Sequence, residues 1–293
     1  MTSHSLRPYA SGLLGIALFS LMDALMKGAS LALGAYSALL LRGVCGLAMT
    51  LPLCLALGRG WPPPAALKLH LTRGLVATAT AFTFFWGITK MPLAEAIALS
   101  FISPLIALYL AAVLLGERLA RRAIGASVLG LAGVIVIAVG RLGERTGEQS
   151  WLGIASILTS ALLYAWNLIL QRQQAQVASP LEVATAQNTV VTIALLGFAP
   201  WFLQLPAQPD TWGWVAGAAL LAMLAAMLFA WAYARAEAQV LVPLEYSAFL
   251  WACLFGWMFF LEAVRPATLI GVALIVAACW IAAPRKRADV GAS

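Results

Sequence analysis

Charged residues are scarce in this chain and make up only 10% of its 293 residues. Soluble globular domains carry about 25% charged residues, whereas this sequence is 63% hydrophobic and has a mean hydropathy of +0.93. The composition therefore excludes a water-soluble globule and indicates an integral membrane protein. Each apolar run is about 18–23 residues long, which is enough to cross a hydrocarbon core of about 30 Å.

Recognisable machinery for catalysis or metal binding is also missing. The four cysteines lie inside apolar runs without C-x-x-C spacing, which predicts neither a disulfide framework nor a zinc site. There is no Walker A, H-E-x-x-H or G-x-S-x-G sequence, and we assign His4 and His70 to terminal or loop segments. An intramembrane enzyme or a receptor, the different-class alternative, would need a deep polar pair that we do not find. We expect no enzyme, no cofactor and no metal.

A block of positive charge that would suit nucleic acid is absent too. The net charge is +7, but the cations are scattered among short segments between the apolar runs. If the N-terminus is cytoplasmic, most Lys and Arg residues face the cytoplasm, as the positive-inside rule requires. We therefore expect a multi-pass protein of the bacterial inner membrane with both termini cytoplasmic. Its expected partners are membrane lipids and a small-molecule substrate, with no nucleic acid.

What the sequence does contain is ten apolar runs in two groups of five. An odd number of spans in each half makes the halves enter the membrane from opposite sides, the inverted-repeat architecture of many secondary transporters. The sequence predicts an all-α membrane protein of ten transmembrane helices, formed by two inverted five-helix repeats. We place the spans at 9–26, 36–57, 69–89, 93–115, 122–139, 151–171, 181–203, 212–234, 240–261 and 267–283.

The repeats are predicted at 1–140 and 151–284, with a connecting loop at 141–150 and a basic cytoplasmic tail at 285–293. The tetrapeptide at 14–17, Leu-Gly-Ile-Ala, recurs at 152–155 near the start of the second half. The fourth helix of each half ends at a glutamate, Glu117 or Glu262. The same order of features in both halves supports a repeat.

Several of these motifs carry a resemblance to a known family. They are Gly116-Glu117, the segment from Pro243 through Tyr246-Ser247 to Glu262, and the closing Gly-Val-Ala-Leu-Ile at 271–275. The chain resembles, over essentially its whole length, the drug/metabolite transporter superfamily in its ten-helix EamA-type branch. The resemblance implies alternating access around a central cavity lined by spans 1, 3, 4, 6, 8 and 9.

The aromatic content suggests a narrower similarity, to the aromatic amino acid exporters of bacterial inner membranes. That similarity implies export of small amphipathic metabolites, chiefly amino acids including aromatic ones, and export of lipophilic cations is the alternative. We expect a monomer or a weak homodimer. The substrate, the coupling ion and the direction of flow are not fixed by the sequence.

Polar and aromatic side chains at membrane depth are the candidates for substrate binding, because polar groups are costly there and want a partner or a cavity. Span 6 has the clearest polar stripe, at Ser160, Tyr164, Asn167 and Gln171. Ordinary helix packing uses the same residue types and remains the alternative. The candidate binding residues are Thr78, Phe82, Trp86, Ser100, Phe101, Ser103, Tyr164, Asn167, Tyr246 and Ser247.

Four residues are candidates for gating or proton sensing: Asp23, Glu245, Pro104 and Pro243. Asp23 and Lys27 have the i, i+4 spacing of an ion pair within one helix, either at the membrane interface or at an outer gate. Arg42 is a plausible neighbour of Asp23. Pro104 predicts a kink in span 4 and Pro243 loosens the start of span 9, where Glu245 either reaches water or forms a gate.

Overall fold

The computed structural model describes residues 3–57, 64–115, 121–142, 149–174, 176–233, 235 and 244–282, and nearly all of them are helical. Glu117, Pro243 and the tail at 285–293 lie outside the described residues. No strand occurs in these ranges. The helices are Ser3–Ala56, Pro64–Ile88, Leu93–Ser100, Ser103–Leu115, Arg121–Leu142, Gln149–Gln174, Pro180–Leu196, Ala199–Phe202, Pro209–Tyr233, Ala248–Phe260 and Pro266–Ala282.

The first helix contains two spans, at residues 3–33 and 35–56. Gly34 separates them with φ 77° and ψ 150°, a backbone region that is essentially restricted to glycine. Span 1 is therefore longer than predicted, since it continues past Met26 to the bend. Lys27 consequently lies within the helix and is buried, 3% exposed.

Span 4 is broken where a kink was predicted. Its two pieces, Leu93–Ser100 and Ser103–Leu115, meet at Phe101 and Ile102, directly before Pro104. The proline ring cannot donate a backbone hydrogen bond to the preceding turn, which accounts for the interruption.

The helices have the dimensions of membrane spans. Three are long and apolar enough to cross a bilayer by length and composition, namely Arg7–Ala56, Trp151–Gln171 and Pro209–Phe229. Shorter apolar helices include Ile124–Gly140 and Pro266–Ile281. Many large apolar side chains are exposed on the bundle, for example Leu131 at 57% and Trp280 at 66%. Such a surface suits contact with lipid, where helices satisfy their own backbone.

The packing between the two halves is symmetric. Span 1 packs on span 8, and the equivalent span 6 packs on span 3; likewise span 1 meets span 9, and span 6 meets span 4. Equivalent spans also meet directly, namely 2 with 7, 4 with 9 and 5 with 10, and span 3 makes a further contact with span 7. Exchanging each span with the one five positions later therefore preserves the pairings 1–8, 3–6, 1–9, 4–6, 2–7, 4–9 and 5–10. With five spans in each half, this is a pair of inverted repeats, as predicted.

Spans 5 and 10 form a tightly packed pair through two glycines. A Cβ atom added to Gly133 would lie 2.6 Å from the carbonyl oxygen of Gly271, and one added to Gly271 would lie 2.7 Å from that of Gly133. Small residues let membrane helices approach this closely. Apart from arginines at its ends, the pair carries few polar side chains.

Candidate functional site

An open space inside the bundle is revealed by span 6. Tyr164 is 42% exposed, although it points away from the side of the helix on which Leu162 and Trp166 face outward. Residues two apart on a helix point in roughly opposite directions. On the side of Tyr164, Ile157 and Ala161 are buried whereas Gln171 is exposed. The accessible interior therefore begins at Tyr164 and continues toward the end of the bundle that carries Ser3, Ala56 and Ala282, here called the terminal face.

Span 9 has the same arrangement. Glu245 is exposed, and the residues above it on that side of the helix, Phe249, Ala252 and Gly256, are buried. Leu250 faces outward and is 68% exposed. Spans 6 and 9 thus each carry an exposed polar side chain on a side that becomes buried toward the opposite end of the bundle, at Gly34, Lys90 and Arg265, here called the distal face.

Charged groups from four spans and the phenol of Tyr164 from a fifth interact here. Tyr164 interacts electrostatically with Glu245, Arg73 and Asp23, and Asp23 interacts with Arg42. We call these five residues and the space between them the central chamber. Asp23 and Arg73 are each only 6% exposed. Ionisable groups are expensive at membrane depth and by default mark a functional site.

Arg73 is held by a chain of hydrogen bonds that crosses spans 3, 6 and 7. Its Nη1 donates to Oε1 of Gln174 at 2.5 Å, and Nε2 of Gln174 donates to Nδ1 of His70. Nε2 of His70 lies 3.3 Å from Oε1 of Glu182. Because Nδ1 accepts, the proton of the neutral imidazole is on Nε2, which donates to Glu182. The prediction that His70 belongs to a loop segment is wrong: the residue is in the helix Pro64–Ile88 and is 2% exposed.

A second cluster of charges closes the distal face. Nζ of Lys27 donates to Oε1 of Glu262, and to the carbonyl oxygen of Met91 at 2.7 Å. The backbone N–H of Leu93 donates to Oε2 of Glu262 at 2.8 Å. These bonds join span 1 and the turn between spans 3 and 4 to the turn after span 9.

One further ion pair reinforces this closure. Nε of Arg265, at the start of span 10, lies 3.5 Å from Oε1 of Glu95 on span 4. We call Lys27, Glu95, Glu262 and Arg265 the distal latch. Lys27, which the sequence pairs with Asp23 by spacing, bonds across the repeats to Glu262. Arg42 is a neighbour of Asp23, as the sequence suggested.

The candidate hydroxyl residues lie against backbone. Thr78 donates to Gly74 at 2.7 Å, Ser100 to Ala96 at 2.9 Å, and Ser103 to Ser100 at 2.6 Å. In the polar stripe of span 6, Ser160 donates to the carbonyl of Thr80 at 2.9 Å and so joins spans 6 and 3. The hydroxyl protons of Thr78, Ser100 and Ser103 thus bind carbonyls of their own span, and only that of Ser160 links two spans.

The remaining candidates, which are aromatic side chains, one amide and one hydroxyl, lie in three different environments. The rings of Phe101 and Tyr246 meet edge to face across spans 4 and 9, with centroids 5.3 Å apart. Trp86 lies under Nζ of Lys90, 5.5 Å from the ring centroid, while Phe82 is 37% exposed. Two polar atoms, Oδ1 of Asn167 and Oγ of Ser247, are buried without a hydrogen-bond partner among the described residues.

Several functional candidates were missed from the sequence. Arg73 and Glu95 were not among the candidates, and Glu262 served only as a marker of the repeat and of the family resemblance. Glu95 is 1% exposed on a helix of otherwise apolar residues. The signal was present, since any charge inside an apolar run deserves the same scrutiny as Asp23.

Comparisons with known proteins agree with this architecture. The profile of the EamA-like transporter family matches twice, at residues 7–139 and 151–283. A crystal structure of another protein aligns with a TM-score of 0.63 at 23% identity and covers 94% of this chain and 96% of that one. This structural likeness shows a shared fold.

Two curated relatives extend the comparison. The pseudopaline exporter CntI of Pseudomonas aeruginosa (strain UCBPP-PA14) is 26% identical over 266 residues, covering 89% of this chain and 90% of that protein. The riboflavin transporter of Rhizobium johnstonii is 28% identical over 212 residues, covering 71% of this chain and 68% of that protein. Both are named as transporters or exporters.

Proposed function

The chain belongs to the EamA-like transporter family, and from this premise we propose that it exports small amphipathic metabolites, chiefly amino acids including aromatic ones. Transport takes place by alternating access around the central chamber. The family and its named relatives support a membrane transporter, and the relative named as an exporter supports outward flow.

The observation that carries the substrate proposal is the mixture of charges in the chamber. Asp23 and Glu245 supply negative charge, Arg42 and Arg73 supply positive charge, and Tyr164 lies between them. A zwitterion presents both signs to such a site. The aromatic pair Phe101 and Tyr246, together with Trp86 and Phe82, would then form the apolar wall that a small-molecule pocket usually has.

The proposal includes an orientation and a working unit. The terminal face carries Arg7, Lys68 and Arg235, and we place it in the cytoplasm of a bacterial cell with the chain in the inner membrane. In the conformation described, the chamber then opens to the cytoplasm while the distal latch closes the outside. The two family matches support repeats at 1–140 and 151–284, and we propose a monomer or weak homodimer as the working unit.

Counterflow in proteoliposomes tests the proposal. Purified protein is reconstituted, loaded with one unlabelled solute from a panel of amino acids and lipophilic cations, and assayed for uptake of the labelled solute at two pH values. We expect aromatic amino acids to exchange. Exchange of the cations alone would contradict the proposal and favour the alternative, in which Asp23 and Glu245 bind cationic drugs.

A matched pair of variants tests whether the chamber is the transport site. Tyr164→Phe removes a hydroxyl that faces the chamber, whereas Trp166→Phe alters a neighbour on the outward side of the same helix, 42% exposed. Tyr164→Phe is expected to lower exchange and Trp166→Phe to leave it unchanged. Equal rates in both variants would place the transport site elsewhere.

The aromatic wall has its own prediction. Trp86→Ala and Tyr246→Ala should each lower the exchange of bulky substrates more than that of small ones, because they remove apolar contact area. Expression should remain intact, and rates are compared at equal amounts of folded protein because both side chains also pack against the core. Normal exchange of bulky substrates in both variants would remove these residues from the wall.

A further inference from the structure

We infer that Arg73 binds a carboxylate of the transported substrate, and that Gln174, His70 and Glu182 hold its guanidinium in position. The inference rests on the proposed function, because it takes the central chamber as the transport site. Beyond the proposed function, it assigns the substrate carboxylate to one residue, Arg73.

Among the described residues, no ion pair to a carboxylate is found for Arg73. Arg73 is 6% exposed, and its Nε has no hydrogen-bond partner among the described residues. Its Nη1 donates to a neutral amide, that of Gln174, and the phenol of Tyr164 is close enough to interact with it electrostatically. A buried guanidinium without a carboxylate is costly, since its charge is not balanced and its Nε donor is not paired.

Arg42 provides the contrast within the same chamber. It also has a buried Nε without a hydrogen-bond partner, but it interacts with the carboxylate of Asp23, and its guanidinium lies 5.8 Å from the ring centroid of Phe85. Of the two chamber arginines, Arg73 is therefore the one whose charge the described residues leave for a ligand to balance.

The chain from Glu182 to Gln174 gives Arg73 a fixed geometry. Glu182 accepts from Nε2 of His70, which leaves Nδ1 to accept from the amide nitrogen of Gln174. The amide oxygen of Gln174 is thereby turned toward Nη1 of Arg73. Gln174 is 1% exposed, so its amide has little freedom to turn unless His70 is removed.

The ligand that fits is a carboxylate with a positive group at short range. A guanidinium binds a carboxylate through paired, charge-assisted hydrogen bonds. Tyr164 neighbours both Arg73 and the acids Asp23 and Glu245. A zwitterion bound to Arg73 would thus have its ammonium group on the side of these acids. A lipophilic cation without a carboxylate has no anionic group that could bind the guanidinium of Arg73.

Competition against labelled phenylalanine exchange tests the inference in the full-length protein. The competitors are 3-phenylpropionate, which keeps the carboxylate, and phenylalaninamide, which lacks it. In the wild type the amide is expected to compete at least about tenfold more weakly than unlabelled phenylalanine, since a hydrogen bond to a charged group is worth about 1.5–3 kcal/mol, or about 10- to 150-fold in affinity. Equal competition by phenylalanine and its amide would overturn the inference.

Variants then assign the effect to Arg73. Arg73→Gln should raise the KM for phenylalanine about tenfold or more and abolish the preference over the amide, and Arg73→Lys should recover part of it. Arg235→Gln is the matched control, because Arg235 is exposed at the terminal face and stacks on Trp231. If Arg73→Gln affects phenylalanine and its amide equally, Arg73 does not bind the carboxylate.

The positioning chain is tested separately. His70→Gln and Glu182→Gln leave Arg73 in place but disturb Gln174, so each should raise the KM for phenylalanine with little change in kcat or in competition by the amide. A fall in kcat alone, or loss of folded protein alone, would mean that the chain is only structural.

A binding measurement separates this inference from the proposed function. Thermal stabilisation of the purified protein by 3-phenylpropionate is compared with that by 3-phenylpropionamide, in the wild type and in Arg73→Lys and Arg73→Gln. Selective stabilisation by the acid that is lost in Arg73→Gln supports the carboxylate site even if no amino acid is exchanged. Equal stabilisation by acid and amide, or none by either, overturns it.

Discussion

Replacing Glu262 with Gln is expected to open the distal face of the bundle. Glu262 accepts from Lys27, whose side chain is only 4% exposed, and from the backbone of Leu93. Removing one partner of a buried ion pair costs about 3–5 kcal/mol. Because the side chain of Glu262 is 17% exposed, the lower value applies, and about 3 kcal/mol shifts the equilibrium toward the distal-open state about 100-fold.

Native Cys253 provides the assay, since it lines a small pocket beside Glu95 and Glu262. The other three cysteines, Cys45, Cys54 and Cys279, are first replaced by alanine. A membrane-impermeant thiol reagent is then applied to the distal face, and the rate of Cys253 modification is measured. In Glu262→Gln this rate should rise by up to about 100-fold, and exchange should slow because closure is disfavoured.

Asp210→Asn is the matched control for the latch. Asp210 is an exposed acid at the distal start of span 8 and belongs to none of the latch contacts. Its neutralisation should leave Cys253 labelling unchanged. If Glu262→Gln folds and transports but labels at the wild-type rate, the ion pair with Lys27 does not hold the distal face closed.

Two further predictions concern the backbone of span 1. Gly34→Ala should lower the free energy of unfolding by about 1–3 kcal/mol in a detergent melt. The added Cβ meets nothing within 4 Å, so only the backbone conformation opposes it. Gly197→Ala is the control: Gly197 has φ −58°, and its replacement should be neutral or slightly stabilising in the same melt. Gly28→Ala places a Cβ 2.6 Å from the ring of Trp214 and should destabilise by about 1–3 kcal/mol. Trp214→Leu should restore part of that loss in the double variant, and strict additivity of the two changes would contradict the contact.

The architecture was predictable because it depends on local composition. Apolar runs of membrane length fixed the ten spans and their division into two inverted groups. Pro104 correctly marked the break in span 4. The ends of the spans were less accurate, since hydropathy reports apolar content rather than helix; the helix of span 3 begins at Pro64, five residues before the predicted start.

The candidate site was predictable only in part. Asp23, Tyr164 and Glu245 were named individually, because polar groups at membrane depth are conspicuous, and the structure brings the three together. Their arrangement near Arg73 could not be predicted from the sequence, because it depends on contacts between distant parts of the chain. The spacing of Asp23 and Lys27 predicts a local pair, but spacing cannot reveal Glu262, which is 235 residues from Lys27 in sequence and lies beside it only because of the fold.

Asp23 and Lys27 are one turn apart on a single stiff helix, so the chamber and the distal latch share a mechanical element. Any displacement of span 1 that pulls Lys27 from Glu262 also moves Asp23 relative to Arg42. Coupling of this kind is reciprocal. If closure of the latch changes the affinity of the chamber for a ligand by some factor, binding of that ligand must change the equilibrium constant of latch closure by the same factor. The free energy of opening the distal latch would then depend on the ligand bound in the central chamber.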